Sequence, residues 1–182
     1  MPYYPGDAYV DWVALSIYWY PDSIVGYNNL PNPEYFQSMV TSTGYAVSLV
    51  NNGTYNGDPL RNFYQRLVVE HGKPMMIPET SAPYGLDPPA GFVGTATSAA
   101  IKERWYSQIF SQNNTQNNFP RLKAVVQFEE QKLEGGNTKD WRVLADPTVL
   151  STFQRVLNGA RSLLSYAPDF KIDCGGNWVR NT

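Results

Sequence analysis

Lys73-Pro74-Met75-Met76-Ile77-Pro78-Glu79-Thr80-Ser81-Ala82-Pro83 is the stretch from which the rest of the chain is read. A basic residue leads into an apolar run of strand length, and a single carboxylate stands where that run stops. A segment rich in Pro and Gly, 82–94, follows before a new helical pattern begins. Short apolar runs bounded by breakers read as buried strands, although Pro78 interrupts the ladder near the end of this one. A carboxylate at the carboxyl end of a buried parallel strand is where barrel enzymes place their chemistry. Taken alone, Glu79 reads equally as a residue that opens a surface loop.

Upstream, Asp58-Pro59 offers a cap and a first helical residue, and Gly72 a stop, for a helix over 58–71. Leu60, Phe63, Tyr64, Leu67 and Val68 supply its apolar stripe. His71, the only histidine, falls in its last turn and reads as structural, with no catalytic neighbour visible in sequence. Residues 34–50 have partial helical spacing broken by Ser42-Thr43-Gly44, which makes them a weak helix or a loop excursion. Before them, 10–18 is a strand. Val13, Leu15 and Ile17 share one face, and Ala14, Ser16 and Tyr18 share the other. Aliphatics on one side suit a helix layer, and small residues on the other suit the crowded inside of a barrel.

Downstream of Glu79, a helix is expected over 95–112, with Ile101, Trp105 and Ile109 near one face. A third strand covers 122–128, a charged loop 130–140, and a last helix begins at Asp146-Pro147 and runs to about 165. Strand, helix, strand, helix, strand, helix is the α/β order with parallel strands. The three strands are expected side by side in chain order, as one incomplete domain over 1–182. Such an open arc leaves two edges and one inner face uncovered, so the isolated chain is expected to aggregate or to melt without cooperativity.

A net charge of -2 with 14 scattered Lys and Arg carries no electrostatic footprint for nucleic acid or an anionic membrane. No apolar stretch approaches the ~20 residues of a membrane span. The 13 Tyr and 5 Trp include several beside Gly, Pro or Asn, where flat rings suit sugars as well as an ordinary core. Cys174 is the one cysteine, so no disulfide closes within the chain. Two sequons, Asn52-Gly53-Thr54 and Asn113-Asn114-Thr115, offer N-glycan acceptors at Asn52 and Asn113. The start, Met1-Pro2-Tyr3-Tyr4-Pro5-Gly6-Asp7, lacks a signal peptide and reads like the interior of a domain.

One His and one Cys supply no metal-ligand cluster, and Gly135-Gly136 lacks the strand and helix of a phosphate loop. No cofactor is expected. A nucleophilic Ser or Cys would need a histidine base near it, and His71 sits at a helix end. Carboxylates with aromatic neighbours remain, the combination of glycoside hydrolysis, which needs two carboxyl groups. Glu79 has the stronger position and Glu129 is second.

Tyr4-Pro5-Gly6-Asp7-Ala8-Tyr9-Val10-Asp11-Trp12-Val13, Lys73 to Thr80, and Lys132 to Val143 with Asp140-Trp141-Arg142 together resemble the last part of a clan A glycoside hydrolase. The nearest pattern is glycoside hydrolase family 26, the endo-mannanase-type family, in its fungal form. The resemblance spans nearly the whole chain. It implies a partial (β/α)8 TIM barrel in which the three strands are the sixth, seventh and eighth. It implies a retaining endo-acting enzyme on a β-linked plant polysaccharide such as β-mannan, with a secreted, extracellular parent protein. Glu79 matches the nucleophile, and Tyr18 matches a tyrosine that supports it. The family's Glu-Thr-Gly is Glu79-Thr80-Ser81 here, and its acid/base Glu, in a His-Glu motif on the fourth strand, has no counterpart. Hydrolysis by these residues alone is therefore not expected. A catalytically inactive remnant that still holds sugar through Trp19, Tyr20, Tyr84 and Trp141, or a truncated gene product, is the alternative. Gln127 and Glu129 close the third strand and reach the same mouth if its odd-numbered face points inward.

Overall fold

A computed structural model describes residues 4–20, 27–41, 62–89 and 94–164, and the backbone of 170–172 and 178–180. Its strands are β1 (Val13–Ala14), β2 (Met75–Thr80), β3 (Tyr84–Gly85), β4 (Leu122–Gln127), β5 (Gln131–Glu134), β6 (Asn137–Asp140), β7 (Phe170–Ile172) and β8 (Trp178–Arg180). The α-helices are α1 (Tyr35–Thr41), α2 (Ser98–Ile109) and α3 (Pro147–Gly159), and Tyr64–Val69 and Asn113–Asn118 are π-helical. β1, β2 and β4 form a parallel sheet in that spatial order. The fold is thus α/β around a parallel three-stranded sheet, with the strands adjacent in the expected sequence.

Paired residues in β1 are fewer than the span 10–18 suggests, yet its ladder runs on. Backbone N–H groups of Val13, Leu15, Ile17 and Trp19 donate to the carbonyls of Pro74, Met76, Glu79 and Ser81, at 2.9–3.2 Å. The partner step of two residues becomes three between Met76 and Glu79. The β2–β4 register also slips between Ile77 and Thr80, the place of Pro78, which has no N–H for a ladder.

That slip sets the direction of Glu79. Met75 and Ile77 are buried beneath the helices, and strict alternation would send Glu79 in after them. Thr80 goes in instead, and its Oγ1 accepts from Trp105 Nε1 at 3.0 Å. Glu79 is left exposed on the opposite face.

The core lies between the sheet and the helices. Val13, Ile17, Trp19, Met75 and Ile77 pack with Phe36 and Val40 of α1 and with Ile101, Trp105 and Ile109 of α2. Thr97 caps α2 by accepting from Ala100 N–H at 3.2 Å. Asp146 caps α3 by accepting from Thr148 and Val149 N–H at 2.7 and 3.1 Å, with Pro147 at the first helical position as expected. α3 ends at Gly159, short of the expected 165. The Asp58-Pro59 cap and the Asn52 sequon lie outside the described residues. Within the expected 58–71 helix, the described residues are π-helical over Tyr64–Val69, and the turn that follows ends at Gly72 with φ 65°, a conformation suited to glycine.

One expectation is corrected outright. Residues 130–140 do not form a loop. β5 and β6 pair antiparallel around Gly135-Gly136, whose φ values are 58° and 82°, and β3 adds to the other side of β6. Two successive residues with positive φ are what a tight hairpin turn of the primed type needs, and glycine supplies them without strain.

At the amino-terminal end of the parallel strands, His71 has a partner after all. Its Nδ1 lies 2.8 Å from Asp7 Oδ1, which also accepts from Tyr4 OH at 2.7 Å, and its ring sits 4.3 Å from that of Tyr4. Lys73 Nζ donates to the Asp7 carbonyl at 2.7 Å. The Tyr4 hydrogen bond, helped by His71 and Lys73, holds the Asp7 carboxyl below its ordinary 3.8. A carboxyl depressed in the folded state stabilises it fully above the ordinary value and loses that contribution as pH falls through the lower one. Protease cleavage within residues 4–12 should therefore rise as pH falls below about 4. Asp7→Asn should make cleavage high at every pH; a native chain showing no rise below pH 4 would count against the clasp.

Candidate active site

The site stands where β1, β2 and β4 end. Tyr18 follows β1 on the face shared by Ala14 and Ser16, and the slip at Pro78 brings Glu79 of β2 to that same face. The Tyr18 hydroxyl donates to Glu79 Oε2 at 2.7 Å, which leaves the other carboxylate oxygen unclaimed by this bond. Burial, reinforced by the bond to Glu79 and by the charges of Glu79 and Glu134, pushes the Tyr18 phenol far above its ordinary 10. Tyr18 therefore remains a proton donor wherever a carboxylate is ionised.

Aromatic rings surround this pair. Tyr18 meets Trp141 edge-on at 5.2 Å and Phe128 at 5.8 Å; Phe128 meets Trp141 at 5.9 Å, and Tyr20 leans on Trp141 at 5.7 Å. Edge-to-face packing at such distances fixes ring orientation as well as burying area. Trp141 reaches this position because the β5–β6 hairpin returns the chain to the strand ends, where Trp141 N–H donates to the Glu130 carbonyl at 2.9 Å. Lys132 of the hairpin lies 4.8 Å above the Phe128 ring and pairs with Glu134 at 2.8 Å. That pairing, with Glu130 and Glu79 contributing, raises the ammonium of Lys132 above its ordinary value.

The sequence candidates divide as follows. Tyr18 and Glu79 come together at the strand ends, and Tyr20 joins them through Trp141. Gln127 is the register partner of Thr80, on the face opposite Glu79, so the odd-numbered side of β4 does not point to the mouth. Gln127 Nε2 donates to the carbonyls of Phe128 and Trp141 at 2.6 and 3.1 Å and lies 3.3 Å from both Ser81 Oγ and Glu129 Oε2. It braces the Trp141 backbone. Trp141 belongs to the cluster but is only 2% exposed, so it supports the neighbouring rings and does not present a face of its own. Tyr84 is half-buried against the core, with its backbone paired to Asp140, and takes no part in the ring contacts of the cluster.

Trp19 is a correction. It is 1% exposed and packs edge-on against Tyr35 at 4.9 Å, on the core face with Val13 and Ile17. The same alternation that puts Tyr18 at the mouth puts Trp19 behind it, so it offers no ring to a sugar.

Glu129 is tied to the backbone. Its carboxylate accepts from Val143 N–H at 2.9 and 3.1 Å and from Leu144 N–H at 2.7 Å. It anchors the chain beyond Trp141. Phe128, Lys132, Glu134 and Lys139 complete the surroundings and were not singled out from sequence. The alternation of Lys132 and Glu134 on one hairpin strand was the available signal once Gly135-Gly136 is taken as the turn.

Among the described residues no group of His, Cys, Asp and Glu could hold a metal ion, and no helix is long and apolar enough to cross a membrane. No protein-family model matches the chain, and no curated protein matches it.

Proposed function

We propose that this chain is the carboxy-terminal portion of a retaining, endo-acting glycoside hydrolase on a β-linked plant polysaccharide such as β-mannan. In this reading the parallel sheet supplies strands six to eight of a (β/α)8 barrel. The observation that carries it is the 2.7 Å bond from Tyr18 to Glu79, made between the carboxyl ends of adjacent parallel strands and walled by aromatic rings. Parallel strands with chemistry at their carboxyl ends, and a carboxylate oriented by a tyrosine, are what a glycosyl-transferring nucleophile requires.

In the step proposed, the free oxygen of Glu79 forms a bond to the anomeric carbon while the glycosidic C–O bond breaks. The leaving oxygen takes a proton from a second carboxyl group, outside this chain. Water, deprotonated by that same group, then releases the sugar with its configuration retained. Tyr18 holds the attacking carboxylate in line. The parent protein is secreted in this reading, and Asn113, exposed at the head of the second π-helical segment, accepts an N-glycan.

An activated 2-deoxy-2-fluoro-β-mannoside with a dinitrophenolate leaving group tests the nucleophile by itself. That leaving group needs no proton, and the fluorine slows release, so the adduct persists. Mass spectrometry should find one fluorosugar, on the peptide containing Glu79. Tyr18→Phe removes a hydrogen bond to a charged group and should slow labelling by roughly 10- to 100-fold without abolishing it. Absence of label on Glu79 in the native chain, or label elsewhere, refutes the assignment.

A second reading, a sugar-binding remnant without catalysis, is favoured by the state of Glu129. The other carboxylate that the sequence offers is engaged by two backbone amides and is not free to act as acid. Oligosaccharide binding with no fluorosugar adduct would select this reading.

A further inference from the structure

Lys139 in β6 is 2% exposed, and among the described residues no carboxylate lies within ion-pair range of it. Its ammonium lies 4.2 Å from the centre of the Tyr20 ring and 5.9 Å from that of Tyr27. It donates to the Tyr20 hydroxyl and, at 3.2 Å, to the Glu134 carbonyl. Tyr27 is itself held, its hydroxyl accepting from Asn137 Nδ2 at 3.1 Å. An ammonium taken out of water is costly to keep unless aromatic faces and oxygens replace its hydration. A methionine would fill the same space without that cost, so the cation does something that packing does not.

What it does is visible at Tyr20. This ring is 41% exposed at the mouth of the site, and it leans on Trp141, which also packs against Tyr18 and Phe128. A tyrosine so exposed would ordinarily rotate. Here the bond from Lys139 to its hydroxyl holds it. An oxygen that accepts from Lys139 must also turn its own proton away from the ammonium, toward the open side.

We propose that Lys139 is a positioning residue for glycan binding. It fixes Tyr20 as a stacking platform and directional donor for a neutral β-linked hexose, beside the sugar held at Glu79. The inference rests on the glycosidase reading above and extends it to a neighbouring subsite.

Titration with β-1,4-mannohexaose, followed by tryptophan fluorescence, tests it on the native chain, Lys139→Met, Lys139→Arg, Tyr20→Phe and the Lys139→Met/Tyr20→Phe double variant. Lys139→Met should weaken binding about tenfold, and Lys139→Arg, which keeps the cation and donors, should restore it to within about threefold. The double variant should be little weaker than either single one, because both changes break the same contact. Affinity unchanged in Lys139→Met, or effects that simply multiply in the double variant, would overturn the proposal. If the native chain binds no hexaose, the glycan reading fails separately. Lys139 is then judged by near-ultraviolet circular dichroism at unchanged far-ultraviolet signal. Lys139→Met should lose the same aromatic band as Tyr20→Phe, and an unaltered band would overturn the positioning role itself.

Discussion

Glu79→Gln should abolish labelling by the activated fluoroglycoside, with a loss on the order of 10,000-fold or more in the rate of adduct formation. The amide keeps the shape of the side chain and can still accept from Tyr18, but it cannot form the glycosyl ester. Binding of β-mannan oligosaccharides should be retained, since the rings of the mouth are untouched. That pattern, chemistry lost and binding kept, separates a nucleophile from a residue that merely supports the fold. Glu129→Gln is the matched control. It weakens the anchor of Val143 and Leu144 but leaves Glu79 and Tyr18 in place, so Glu79 should still take the label. If Glu129→Gln lost the label while Glu79→Gln kept it, the roles would be reversed. In a barrel completed by its preceding strands, the opposing carboxyl group should stand about 5–5.5 Å from Glu79, the spacing of retention.

Much of this site was legible in the order of residues, for identifiable reasons. Alternation along 13–18 separates the face of Val13 and Ile17 from the face of Tyr18, and the apolar run ending at Glu79 marks a strand end. The meeting of Tyr18 and Glu79 follows once the two strands are parallel neighbours. Carried one residue further, the same alternation assigns Trp19 to the core, and aromatic composition alone obscures that. Glu79 itself depends on a departure from alternation, the slip at Pro78, which a proline near the end of a strand hints at without giving its direction. Lys139 and Glu129 were less accessible. Their environments are made by contacts 119 and 14 residues away along the chain, to Tyr20 and Val143, and no local pattern encodes those pairings.

On heating at micromolar concentration, the chain should aggregate, with an onset that falls as concentration rises, instead of passing through a reversible two-state transition. Helices cover one face of the parallel sheet. On the other, Trp12, Ala14 and Ser16 are exposed, and Val126 of β4 is 47% exposed. β1 and β4 each pair only with β2 among the described residues, so each has an outer edge with backbone groups free to pair with another chain. An uncovered sheet face flanked by two unpaired edges is a template for intermolecular strand addition, and heating loosens whatever shields it. Closing a barrel would remove the edges and fill that face with side chains. Val126→Lys places a charge on the edge strand, on that open face. It should raise the onset temperature at fixed concentration. A sharp, reversible, concentration-independent melt of the native chain would mean that this face and these edges are already covered. The partial-barrel reading would then lose its physical basis even if Glu79 still took the label.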